Sequence, residues 1–86
     1  MNSFATKFIY HGIPFHIHPN DTFYSIFIGG VHISVDHIYM SVFKDPNYDD
    51  WYLSSKGFCM SISEEIFNFF RLDLQNYQSN MDCSYD

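Results

Sequence analysis

The stretch that most constrains this chain is Phe23–Val35, which reads Phe-Tyr-Ser-Ile-Phe-Ile-Gly-Gly-Val-His-Ile-Ser-Val. Gly29-Gly30 has the chemistry of a two-residue β-turn, because glycine accepts the positive φ that tight hairpin turns demand. Closing the hairpin there sets Ile28 opposite Val31, Ile26 opposite Ile33 and Tyr24 opposite Val35. Successive side chains on a strand point to opposite faces, so these residues share one apolar face. The other face pairs Phe27 with His32, Ser25 with Ser34 and Phe23 with Asp36. One apolar and one mixed face is the pattern of an antiparallel pair that buries one side. Phe23 and Phe27 stand on the mixed side and need a cover or a partner.

The preceding segment repeats the design. A turn at His11-Gly12 sets Tyr10 opposite Ile13, Phe8 opposite Phe15 and Thr6 opposite Ile17, giving a second apolar face. The opposite face carries Ile9 with Pro14, Lys7 with His16, and Ala5 with His18. Proline cannot donate to a ladder, so Pro14 predicts a sheet edge or a break on the side away from the first strand. Pro19-Asn20-Asp21-Thr22 has turn chemistry and separates the two hairpins.

Beyond the central hairpin, Asp36-His37 predicts a further tight turn and Ile38–Phe43 a fifth strand. Lys44–Asp50 reads as a loop, with Pro, Asn and three acids. Trp51-Tyr52-Leu53 resumes an apolar pattern, Ser54–Gly57 turns it, and Phe58–Ile62 predicts a last short strand. The hydrophobic period then lengthens to that of a helix. Ser63–Leu74 carries Ile66, Phe69, Phe70 and Leu74 on one stripe, which Ile62 and Tyr77 extend, with Phe67 off it. Ser61 or Ser63 is the candidate cap, and Glu64 and Glu65 suit the positive end of the helix dipole. The predicted fold is α+β: a small antiparallel sheet of about five strands, built on two N-terminal hairpins and packed by one C-terminal helix. Residues 1–77 form a single domain on this reading, and the polar segment 78–86 is expected to be a flexible tail.

Charge decides which partners such a scaffold can attract. Residues 1–44 hold Lys7 and Lys44 against Asp21 and Asp36, and these cancel. Residues 45–86 hold eight acids against Lys56 and Arg71, and so carry the whole formal charge of −6. Binding to nucleic acid requires cations that displace counterions from phosphate, so direct nucleic-acid binding is not expected. Anionic membrane surfaces are disfavoured on the same ground, and no apolar run approaches spanning length. A basic protein partner is favoured. The N-terminal residues Met1–Lys7 lack the apolar core of a signal peptide, and Cys59 and Cys83 are too few for a disulfide framework. Both observations predict a cytoplasmic protein with free thiols.

Several groupings bear on chemistry. His16 and His18 share a strand face, and the hairpin register allows His32 to join them, which makes the three a weak candidate metal site. Cys59 lacks the helix N-terminus that would activate it as a nucleophile. Asp49-Asp50 and Glu64-Glu65 read as solvated charges rather than an acid–base pair, and Gly29-Gly30 opens no phosphate-binding helix. No cofactor is expected, and the chain is expected to work by contact rather than by turning over a substrate.

The strongest signal is the segment Asp45-Pro46-Asn47-Tyr48-Asp49-Asp50-Trp51-Tyr52, which joins carboxylates to three large rings on a connection. Loops on a rigid sheet commonly carry binding groups, and Tyr and Trp are favoured anchors that nearby acids help to steer. The predicted partner-binding set is Asp45, Tyr48, Asp49, Asp50, Trp51, Tyr52, Glu64 and Glu65, with Asp73 extending the acidic track. The expected function is inhibition of a larger, basic nucleic-acid-processing protein through phosphate mimicry and aromatic anchors. Phage anti-CRISPR and anti-restriction proteins and toxin-immunity proteins are similar to this chain in size and charge, with no motif that carries a site across. The alternatives are a small His-based metal-binding protein and a homo-oligomer, such as a dimer, that pairs through Phe23 and Phe27.

Overall fold

A computed structural model describes residues 5–83, with side chains given for residues 5–76. The fold is α+β, with antiparallel strands covered by one C-terminal helix. The strands are β1 (Thr6–Tyr10), β2 (Ile13–Pro19), β3 (Phe23–Ile28), β4 (Val31–Asp36), β5 (Ser41–Asp45), β6 (Asp50–Ser55) and β7 (Phe58–Ile62), and helix α1 spans Glu64–Cys83. They form two sheets rather than the single sheet of about five strands that periodicity suggests. β1-β2-β3-β4 make one meander and β5-β6-β7 the other.

Both N-terminal hairpins have the expected registers. Tyr10 pairs with Ile13 and Phe8 with Phe15; Ile28 pairs with Val31 and Tyr24 with Val35. The turns explain why. His11 and Gly12 both have positive φ, and so does Gly29, which suits the twist of the flanking strands. β2 lies inside the sheet, yet its ladder with β3 begins only at Phe15. At Pro14 the carbonyl accepts the Gly29 N–H (3.0 Å), so the break falls where the donor is missing.

The expected strand over Ile38–Phe43 is replaced by a turn and a later strand. His37–Tyr39 form a single 3-10 turn, and β5 starts at Ser41. His37 is buried, and its N–H donates to the Thr22 carbonyl (3.0 Å). That bond continues the β3–β4 register by one pair, and the 3-10 turn then carries the chain from β4 to the start of β5. Ile38 and Tyr39 are left exposed despite their apolar character.

The core joins the two sheets and the helix. Phe15, Ile17, Tyr24, Ile26 and Val35 come from the first sheet, Leu53 and Ile62 from the second, Met40 from the connector, and Ile66 and Phe70 from α1. Ser63 caps the helix: its Oγ accepts the Ile66 N–H (3.2 Å) and its carbonyl the Phe67 N–H (2.9 Å). Phe69 and Leu74 pack beside the buried stripe, and Phe67 widens it. The Tyr77 side chain lies outside the described residues. The helix runs on to Cys83, through most of the segment expected as a tail; residues 84–86 lie outside the described residues. No Gly or Pro interrupts residues 75–83, and extending an existing helix costs far less than starting one.

One polar cluster lies at the seam. The fully buried Tyr24 donates its hydroxyl to Asp73 Oδ2, packs edge-on against Phe70 (5.0 Å) and tilts against His37 (4.5 Å). Burial, then the hydrogen bond and charge of Asp73, push the Tyr24 phenol far above its ordinary range. Burial lowers the His37 imidazole, against an opposing pull from Asp73 and Asp36.

Truncating Phe70 removes a buried ring that touches both sheet and helix. Phe70→Ala is expected to cost about 3–5 kcal/mol, against under about 0.5 kcal/mol for the exposed Leu72→Ala, as read from urea denaturation midpoints. The His37 effect has a definite sign. The unfolded chain protonates His37 at its ordinary value of 6.5, whereas the fold resists that proton. Its contribution is therefore intact above that value and is lost as pH falls toward the lowered folded value. Melting temperatures between about pH 7 and about pH 5.5 should fall less steeply in His37→Gln than in the parent; equal slopes would refute this.

Candidate functional site

The predicted acidic-aromatic segment is a hairpin tip, tighter than the Lys44–Asp50 loop read from composition. Lys44 and Asp45 belong to β5 and Asp50 to β6, with Asp45 directly across from Asp50. The Asp45 carboxylate accepts the Asn47 N–H (2.8 Å), and the Asp45 carbonyl accepts the Asp49 N–H (2.9 Å). Short side-chain bonds of this kind are why Asx residues favour turns. Asp49 closes the loop in the left-handed region, at φ 59.

Alternation along β6 separates the predicted rings. Leu53 is fully buried, so Trp51, two residues earlier, faces the same way and packs against the core beside Ile62. The Lys44 ammonium lies over its ring, 5.2 Å from the centroid. Trp51 is therefore partly buried, with one side of its ring packed on the core. Tyr52 faces the opposite side, where it stacks on Phe43 across the strands (5.7 Å, 26° between planes). Tyr48 stands fully out at the tip, 73% exposed. Burial raises the Tyr52 phenol above its ordinary range, helped by the charges of Asp50 and Asp45.

The remaining acids sort by environment. Asp50, Glu64 and Glu65 are exposed, and Asp45 is half-buried at the tip. Asp49 is exposed but paired with Lys44 Nζ (2.8 Å). That bond and the charges of Asp49 and Glu64 hold the Lys44 ammonium above its ordinary range. Topology explains the reach of Glu64: Ile62 pairs with Trp51, so the chain enters α1 directly beside the tip. Asp73 does not join this group, because its carboxylate turns inward to Tyr24.

At the tip Asp45 and Asp50 share one sheet face with Phe43 and Tyr52, Tyr48 stands out beyond them, and Glu64 lies near Lys44 on the other face. Phe43 was not among the predicted site residues. Its signal was its position across from Tyr52, which becomes visible only once Asp45 and Asp50 are paired.

The histidines do not form a metal site. His16 and His32 both sit across from Phe27, whose ring stands between them. Phe27 stacks on His32 (4.5 Å) and meets His18 edge-on (5.4 Å). Among the described residues no group of three His, Cys, Asp or Glu could hold a metal ion. For the homo-oligomer alternative, Phe27 is exposed on this face, whereas Phe23 is half-buried. No described helix is long and apolar enough to cross a membrane. No protein-family model, curated protein or solved structure matches the chain.

Because Asp49 adopts positive φ, charge and conformation can be separated there. Asparagine also tolerates the left-handed region, whereas a β-branched residue does not. Asp49→Asn should leave stability near that of the parent, and Asp49→Val should cost about 1–2 kcal/mol. Equal urea midpoints for the two variants would contradict the tip conformation.

Proposed function

We propose that this protein works by contact, covering a basic face of a larger nucleic-acid-processing protein and inhibiting it. The observation that carries the reading is the convergence at one end of the fold. Two separate segments, the β5–β6 tip and the start of α1, lie side by side there: Asp45 and Asp50 share a sheet face with Phe43 and Tyr52, Tyr48 stands out at the tip, and Glu64 acts on Lys44 from the other face. Exposed carboxylates present anionic oxygens to Lys and Arg groups that otherwise hold phosphate, which speeds encounter and sets orientation. Rings supply what charge in water cannot: Phe43, Tyr48 and Tyr52 offer apolar area with little entropy to lose on binding. Trp51 and Lys44 stiffen the tip from behind, so the anchors sit on a rigid support. The working compartment in this proposal is the cytoplasm, where such enzymes act on nucleic acid.

The test is capture from the native host with the parent and with the variant Asp45→Asn/Asp50→Asn/Glu64→Gln/Glu65→Gln. The parent should recover a partner that is basic and binds nucleic acid, and polyanions should compete for it. The partner's association rate should fall at least about tenfold between about 50 mM and about 500 mM salt. The variant should retain its melting temperature and lose most of the capture. Equal capture by the variant, or a rate indifferent to salt, would overturn the proposal.

A further inference from the structure

A second surface lies at the other end of β6, where the β6–β7 turn meets the end of β3–β4. A cleft of about 390 Å³ opens there between the two sheets. Asp36 and Lys56 both line it, yet they form no ion pair with each other. Asp36 occupies the cap position of the 3-10 turn, where an aspartate ordinarily bonds the backbone, but its carboxylate makes no capping bond. The Lys56 ammonium instead rests over the Tyr39 ring, 4.8 Å from the centroid. Two opposite charges are thus held apart in one concavity, each open to a ligand.

The rest of the lining supports the same reading. Phe23, Tyr39 and Phe58 supply apolar walls, and the hydroxyls of Thr22, Ser34 and Ser55 lie between them. Among the described residues none of these three hydroxyls makes an intramolecular hydrogen bond. The wall is fixed by backbone bonds, Asn20 N–H to the Phe23 carbonyl (2.9 Å) and His37 N–H to the Thr22 carbonyl (3.0 Å). The lining is mostly polar, with the three rings set among it, and its volume falls in the range of small-molecule sites.

We propose that the cleft binds a small zwitterion with an aromatic side chain, of the size and chemistry of a free aromatic amino acid. Asp36 accepts from its ammonium group and Lys56 donates to its carboxylate. The side chain lies against Phe23 and Phe58, and Tyr39 keeps the Lys56 ammonium over the cleft in the empty state through a cation–π contact. A ligand with both charges satisfies both walls, whereas one with a single charge leaves its partner to water. The site does not depend on the anionic tip.

The experiment is a heteronuclear NMR titration of the full chain with L-phenylalanine, N-acetyl-L-phenylalanine and phenethylamine. Phenylalanine should produce saturable amide shifts around Ser34, Asp36, Ser55 and Phe58, leaving the tip unmoved. Loss of either ligand charge should weaken binding about threefold to fivefold, the size of a solvent-exposed ion pair. Asp36→Asn should erase the preference over the acetylated compound, and Lys56→Gln the preference over the amine. Both side chains are exposed, and the ligand series on the parent protein tests the idea without either variant. No saturable shift up to about 10 mM, equal affinity for all three compounds, or shifts centred on the tip would overturn the proposal.

Discussion

Tyr24 is the contact on which the two-sheet arrangement depends. The backbone of α1 runs along β5 and β6, so the helix belongs geometrically to the second sheet. It reaches the first sheet through rings: Phe70 on Tyr24, and Phe69 on Phe8 at 5.8 Å. A four-stranded meander with one apolar face is not stable bare, and here the helix that helps to cover it lies along the second sheet. Large flat side chains bridge that gap where aliphatic ones would fall short. Phe8, Tyr24, Phe69 and Phe70 serve this demand.

The hydroxyl of the same tyrosine fixes how the helix is turned. Phe70 and Asp73 lie one helical turn apart and therefore on one face. Tyr24 meets both, the first with its ring and the second with its O–H. Neither polar partner is cheap to lose, because removing one leaves the other desolvated without its bond. A slip of the helix by one residue would separate phenol and carboxylate, so the pair selects one rotation among several that greasy packing alone would permit. Asp73 is thereby spent on structure and withdrawn from the acidic surface.

What was legible in the sequence followed from short-range rules. Alternation and turn chemistry define both N-terminal hairpins residue by residue, and a change of period marks α1. The misreadings share a cause, which is dependence on a group remote in sequence. Ile38 and Tyr39 look like strand residues, but His37 turns in against Tyr24 and a 3-10 turn takes the place of the strand. Trp51 looks like a loop anchor until the pairing of Asp45 with Asp50 puts it on the face of Leu53. Phe43 and Trp51 are placed on opposite faces by the same one-residue argument. His16, His18 and His32 do share a sheet face, as expected, but Phe27 lies between His16 and His32 in the register and packs on His18 and His32.

The tip of the β5–β6 hairpin breaks a local rule, and this bears on the proposed function. Asp45 and Asp50 face each other directly across an antiparallel pair, where like charges repel. An opposite charge or a neutral residue would stabilise the hairpin better. The tip holds instead through bonds that leave the repulsion in place: the side-chain bond to Asn47, the backbone bond to Asp49, and the pairing of Lys44 with Asp49. Conflicts between local preference and the fold are expected where a site serves something other than stability. A cation supplied from outside would sit between the two carboxylates and relieve the repulsion that the free protein carries. On the proposed function, part of the binding free energy is this relief, and it is available only to a basic group that can reach the tip beside Tyr48 and Tyr52.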